Sequence, residues 1–146
     1  ASVVAETGIP ASRVEMEVTE SFIMEQVGFC IGQMQELRRM GLTLSIDDFG
    51  TGHSSLSHIK QLPIHKLKID GSFVQDVPDD PNDAAITAAV IAMGQSLGLT
   101  VLAEGVETEA QSALLKAQGC HEAQGYLFGA PMTAEMLTPL LDSVQR

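Results

Sequence analysis

The sequence predicts an α/β fold, a partial TIM-like (β/α) barrel of about five βα units. Three observations carry the prediction: strand-like and helical segments alternate, the helices are apolar on one side only, and carboxylates recur where the strand-like runs end. Alternation of this kind demands a parallel sheet with right-handed crossovers, in a doubly wound sheet or a β/α barrel. The run His65–Asp70 favours the barrel. Leu67 and Ile69 fall on one face while Lys66, Lys68 and Asp70 fall on the other. A doubly wound sheet buries both faces under apolar helices, whereas barrel strands end in a polar mouth.

The elements follow in order. Ala1 to Ser12 reads as a loop after a helix. Strand-like runs begin near Val14, Thr43, His65, Leu99 and His121. A helix over about 24–40 presents Val27, Ile31, Met34 and Leu37 on one side and stops at Gly41. A second, over about 83–97 after a turn at Pro78 to Pro81, presents Ile86, Val90, Met93 and Leu97 before Gly98. A third opens with Thr108 and Gln111 at capping-box spacing, buries Leu114 and Leu115, and ends at Gly119. Met136, Leu137, Leu140, Leu141 and Val144 form a last packing helix that Pro139 should break or kink.

Composition narrows the function. At 146 residues and 45% hydrophobic content, the chain supports one globular unit, residues 1–146. Its apolar runs are too short to span a bilayer, so no membrane contact and a cytoplasmic location are expected. Cys30 and Cys120 lack metal or redox spacing and read as reduced, buried thiols. A net charge of −11 excludes extended nucleic acid as a partner. Small phosphates remain open, because carboxylates that hold cations reverse the local sign.

Position matters more than the sum. Glu17 and Glu20 follow the first strand-like run, Asp47 and Asp48 the second, Asp70 the third, and Glu104 and Glu107 the fourth; Lys68 joins them. One acid at a strand end is ordinarily a solvated or capping residue. Four successive strand ends converge at a barrel mouth, where like charges need cations or a buried lysine. An all-oxygen donor set suits Mg²⁺, Mn²⁺ or Ca²⁺. Gly50 and Gly52 would let the chain turn so that both Asp47 and Asp48 approach metal. Two metals would clamp a phosphodiester and activate water, with Lys68 orienting that water or steadying the phosphoryl charge. The histidines His53, His58, His65 and His121 lack ligand spacing.

Glu-Val-Thr-Glu-Ser (17–21), Asp-Asp-Phe-Gly-Thr-Gly (47–52) before Ser-Ser-Leu (54–56), Leu-Lys-Ile-Asp (67–70) before Ser-Phe-Val (72–74), Ala-Glu-Gly-Val-Glu-Thr (103–108) and Gln-Gly-Tyr-Leu-Phe (124–128) resemble, in order and spacing, consecutive motifs of the EAL family of cyclic di-GMP-specific phosphodiesterases. By that resemblance Glu17, Asp47, Asp48 and Glu104 are metal ligands for Mg²⁺ or Mn²⁺. Lys68 and Glu104 take catalytic roles, Asp70, Glu107 and Gln124 support the site or contact substrate, and Glu20 braces the 47–52 loop. Two residues depart from the family pattern: His53 stands where tyrosine is common, and Gly71 where a basic residue is common. A TIM barrel needs about eight strands and about 250 residues, so the chain is expected to be the C-terminal portion of an EAL domain whose first strands, with the Glu-Ala-Leu signature and a metal-binding asparagine, lie upstream. The resemblance implies hydrolysis of cyclic di-GMP to linear pGpG by the intact domain in bacterial signalling. The alternative is a non-catalytic cyclic di-GMP receptor. The isolated segment, with open strand edges, is expected to be inactive and to form a homodimer or segment-swapped oligomer.

Overall fold

The computed structural model describes residues 2–52 and 56–144. Helix α1 (Ser2–Thr7) and a 3₁₀ turn (Ala11–Arg13) lead into β1 (Glu15–Thr19), followed by α2 (Glu20–Glu25), α3 (Val27–Arg39) and β2 (Thr43–Phe49). Next come α4 (Leu56–Ile59), β3 (Lys66–Ile69), a 3₁₀ turn (Gly71–Phe73), α5 (Pro81–Ser96), β4 (Thr100–Ala103), α6 (Glu109–Ala117), β5 (Glu122–Ala123) and α7 (Ala134–Val144). The strands form one parallel sheet in the order β1-β2-β3-β4-β5, with β1 and β5 as its edges. This is the predicted α/β partial barrel, open rather than closed.

The sheet has two chemically different faces. On one, Leu44, Ile46, Leu67, Ile69, Val101 and Ala103 are wholly buried, and they form a core with Cys30 and Met34 of α3, Val90 and Ile91 of α5, and Leu115 of α6. On the other, period-two alternation places Glu15, Glu17, Ser45, Asp47, Lys66, Lys68 and Glu122. Burial of apolar area therefore fastens the helices to the outer face and leaves the charged face to the strand ends.

Local signals explain most boundaries. Gly41, Gly98 and Gly119 take left-handed conformations (φ 90°, 70° and 85°) where the three helices stop. Thr108 and Gln111 complete a reciprocal capping box at the start of α6. Asp80 caps α5 by accepting from the backbone N–H groups of Asn82 and Asp83.

Four expectations need correction. The opening segment contains α1 rather than loop alone. The helix expected over 24–40 is two helices, because the φ of −144° at Gln26 interrupts the helical path and ends α2. Pro139 lies inside α7, which continues past it, and the apolar side of that helix is exposed rather than packed, with Met136 63% accessible. Cys120 is only half-buried, its thiol donating to the carbonyls of Val101 and Glu122. His53 lies outside the described residues.

Gly125, just past β5, is fixed by close packing. A Cβ there would lie 2.1 Å from the carbonyl oxygen of Val106 and 2.3 Å from its nitrogen. The same Val106 backbone donates to Gln124 and accepts from Leu127, so it cannot retreat freely. Gly125→Ala should therefore destabilise by about 1–3 kcal/mol, read as a lowered urea midpoint at unchanged m-value.

Candidate metal centre

Lys68 stands at the centre of the polar face. Its side chain is 6% exposed, and its Nζ lies 2.9 Å from each of Glu17 Oε1, Asp47 Oδ1 and Glu104 Oε1. These acids come from β1, β2 and the residue following β4. Burial works against the ammonium, but contacts with Asp47, Glu17 and Glu104 outweigh it and push the pKa above the ordinary lysine value. Lys68 is therefore a fixed cation at physiological pH.

Local backbone geometry positions the acids. The pairing of β2 with β3 shifts register between Ile46 and Phe49, and Asp48 sits in the left-handed region at φ 54°. The turn expected from Gly50 and Gly52 thus begins within the Asp47–Asp48 pair itself. It lets both carboxylates join Glu104, and the three offer oxygens within 4.8 Å of one another. Burial, then the charges of Asp47 and Asp70, raise the Asp48 pKa; burial raises that of Glu104 against the pull of Lys68. Asp70 goes the other way, held low chiefly by its bond with Ser72, with a further contribution from Asp48.

The donor set suits a hard divalent cation. Asp47 Oδ1 is buried, with the Lys68 ammonium 2.9 Å away balancing its charge. Three convergent carboxylates repel one another, and a divalent ion relieves that repulsion by coordinating oxygens of this type.

Glu20 is 1% exposed, and its Oε2 accepts from the backbone N–H of Gly50 (2.8 Å) and Gly52 (3.4 Å). It thus joins the start of α2 to the loop that carries Asp48. Glu107 stands apart: its carboxylate is exposed, while its backbone N–H donates to Gln111 Oε1. Gln124 is exposed after β5, where it lines a cavity of about 940 Å³ with Tyr126, Phe128 and the apolar side of α7. Sequence reasoning did not single out Glu15, Ser45 and Glu122. The first two continue the period-two pattern one step before Glu17 and Asp47, which was the available signal.

The EAL domain family matches residues 1–131. The chain belongs to the EAL domain family. The EAL relatives include the bifunctional diguanylate cyclase/cyclic di-GMP phosphodiesterase MucR of Pseudomonas aeruginosa, 48% identical over 126 residues, covering 86% of this chain and 18% of MucR. The cyclic di-GMP phosphodiesterase NbdA of the same organism is 45% identical over 136 residues, covering 93% of this chain and 17% of NbdA. Among solved structures, the phosphodiesterase PaMucR in complex with c-di-GMP superposes with TM-score 0.91 at 44% identity, covering 93% of this chain and 55% of that one. Klebsiella pneumoniae BlrP1, in a manganese/cy-diGMP complex at pH 9.0, gives TM-score 0.83 at 35% identity over 89% of this chain and 33% of its own. The chain spans about a sixth of the length of the curated relatives it matches.

Glu20→Ala should leave the Gly50 and Gly52 amides without their acceptor and destabilise by about 1–3 kcal/mol, with Glu20→Gln retaining part of the loss. Urea unfolding of both variants checks this.

Proposed function

We propose that the intact domain containing this segment hydrolyses one phosphodiester bond of cyclic di-GMP, giving linear pGpG, in bacterial second-messenger signalling. The observation that carries the proposal is the Lys68 ammonium held by Glu17, Asp47 and Glu104 beside the Asp47–Asp48–Glu104 cluster. Relatives named as cyclic di-GMP phosphodiesterases, and a manganese/cy-diGMP complex of similar fold, support it.

Glu17, Asp47, Asp48 and Glu104 are assigned to hold Mg²⁺ or Mn²⁺. Bound there, the cations supply charge neutralisation at the scissile phosphate and make water acidic enough to attack at neutral pH. Lys68, charged and fixed, orients the attacking water and balances negative charge as the phosphorus gains a fifth oxygen. Glu104 and Glu17 both hold the Lys68 ammonium in place. Asp70 fixes Asp48, and Glu20 braces the loop between them. Gln124 and Glu107, exposed beyond the strand ends, are assigned to substrate. The segment is the C-terminal portion of its EAL domain, acts in the cytoplasm, and pairs through its open edges into a homodimer or segment-swapped oligomer when separated from the rest. Among the described residues no helix is long and apolar enough to cross a membrane.

The test is turnover of cyclic di-GMP by the full parent protein with Mg²⁺ or Mn²⁺. Lys68→Ala and Asp47→Asn should each lower kcat by about 10²-fold or more, in line with the loss of a positioned charge at a reacting centre. Undiminished turnover in either variant would remove that residue's assigned role, and chelation of the metal should abolish wild-type activity.

A further inference from the structure

A second lysine lies one strand step beneath the first. Lys66 Nζ is 3.0 Å from Glu15 Oε2 and 2.9 Å from Glu122 Oε2, and its side chain is 16% exposed. Glu15 belongs to β1 and Glu122 to β5, the two edge strands, whereas Lys66 belongs to the central strand. In a flat five-stranded sheet those edges would be about 19 Å apart at the usual strand spacing. Here one ammonium touches carboxylates from both, which brings the two oxygens within about 6 Å of each other. The sheet must curl towards its charged face for this to happen.

We infer that Lys66 is a positioning residue, a clamp that sets the curvature of the sheet and thereby gathers Glu17, Asp47 and Glu104 around Lys68; this rests on the proposed function of that centre. The two layers share their elements. Glu17 stands two residues beyond Glu15 on β1, and Lys68 two residues beyond Lys66 on β3, about 6.6 Å further along the strand. Relaxing the lower layer loosens β1 and β5 from β3 and shifts Glu17 with β1. Lys66 touches neither the acid cluster nor any group assigned to substrate.

The sign of one measurement separates a clamp from simple electrostatics. Removing a cation near an acidic centre strengthens Mn²⁺ binding by Coulomb attraction alone. Loss of a clamp weakens it, as loss of supporting partners around a metal site does by about 10- to 100-fold. The test uses the full parent protein as wild type, Lys66→Met and Lys66→Arg. Mn²⁺ affinity is read by calorimetry without substrate, and amide exchange is read at Thr43, His121 and Gln124, whose N–H groups join β1 to β2 and β5 to β4.

The expected result is Mn²⁺ binding about tenfold weaker in Lys66→Met, with faster exchange at those three amides, and recovery of both in Lys66→Arg. Unchanged or tighter Mn²⁺ binding in Lys66→Met overturns the clamp, as does an arginine variant no better than methionine. If Lys66→Met does not fold, Glu122→Gln, at the more exposed partner, is measured in its place. A wild-type protein that binds no Mn²⁺ removes the phosphodiesterase reading instead, and the exchange comparison then decides the clamp by itself.

Discussion

Burying an ammonium is unfavourable unless its charge is met at close range, and the Lys68 side chain, 6% exposed, sets that demand on the whole structure. Three carboxylates from three parts of the chain must arrive at one atom. They do so because β1, β2, β3 and β4 lie parallel in sequence order, so their C-terminal ends, and the residues just beyond them, fall on one rim. A parallel sheet with crossover helices is the arrangement that puts every strand end on the same side. The contacts of Lys68 therefore depend on topology before they depend on any single residue.

The outer face supplies the stability that the polar face spends. Leu44, Ile46, Leu67, Ile69 and Val101 lose all their accessible surface beneath the helices, while the same strands present Ser45, Asp47, Lys66 and Lys68 on the reverse. Strands that alternate so sharply cannot slip by one residue without exposing the apolar set and burying the charges. Register and the geometry around Lys68 are thus enforced by the same period of two. The left-handed Asp48 breaks the pattern where two adjacent carboxylates join the same cluster.

Much of this was legible in the sequence, and for identifiable reasons. Helix stops at Gly41, Gly98 and Gly119 and the capping box at Thr108 are short-range signals carried by a few neighbouring residues. The strand-end carboxylates were visible as well, because strand period and order suffice to place them on one rim. What could not be read were effects that depend on partners far along the chain. Nothing local announces that Gln26 divides α2 from α3, or that Pro139 is carried within α7. Lys66 shared a face with Lys68 by alternation, yet its contacts with Glu15, 51 residues away, and with Glu122 require the sheet to curl. The 47–52 turn was expected from its glycines, and Gly50 does take a positive φ of 105°, but the turn begins two residues earlier, at Asp48, where pairing with β3 shifts register.

We propose that the acids around Lys68 form a divalent-cation centre. It is tested most directly by the crystal structure of the intact domain soaked with Mn²⁺, with anomalous difference density collected at the manganese edge. The account predicts a peak about 2.0–2.6 Å from carboxylate oxygens of Asp47, Asp48 and Glu104. Density elsewhere, with those three carboxylates and Lys68 undisturbed, would contradict it.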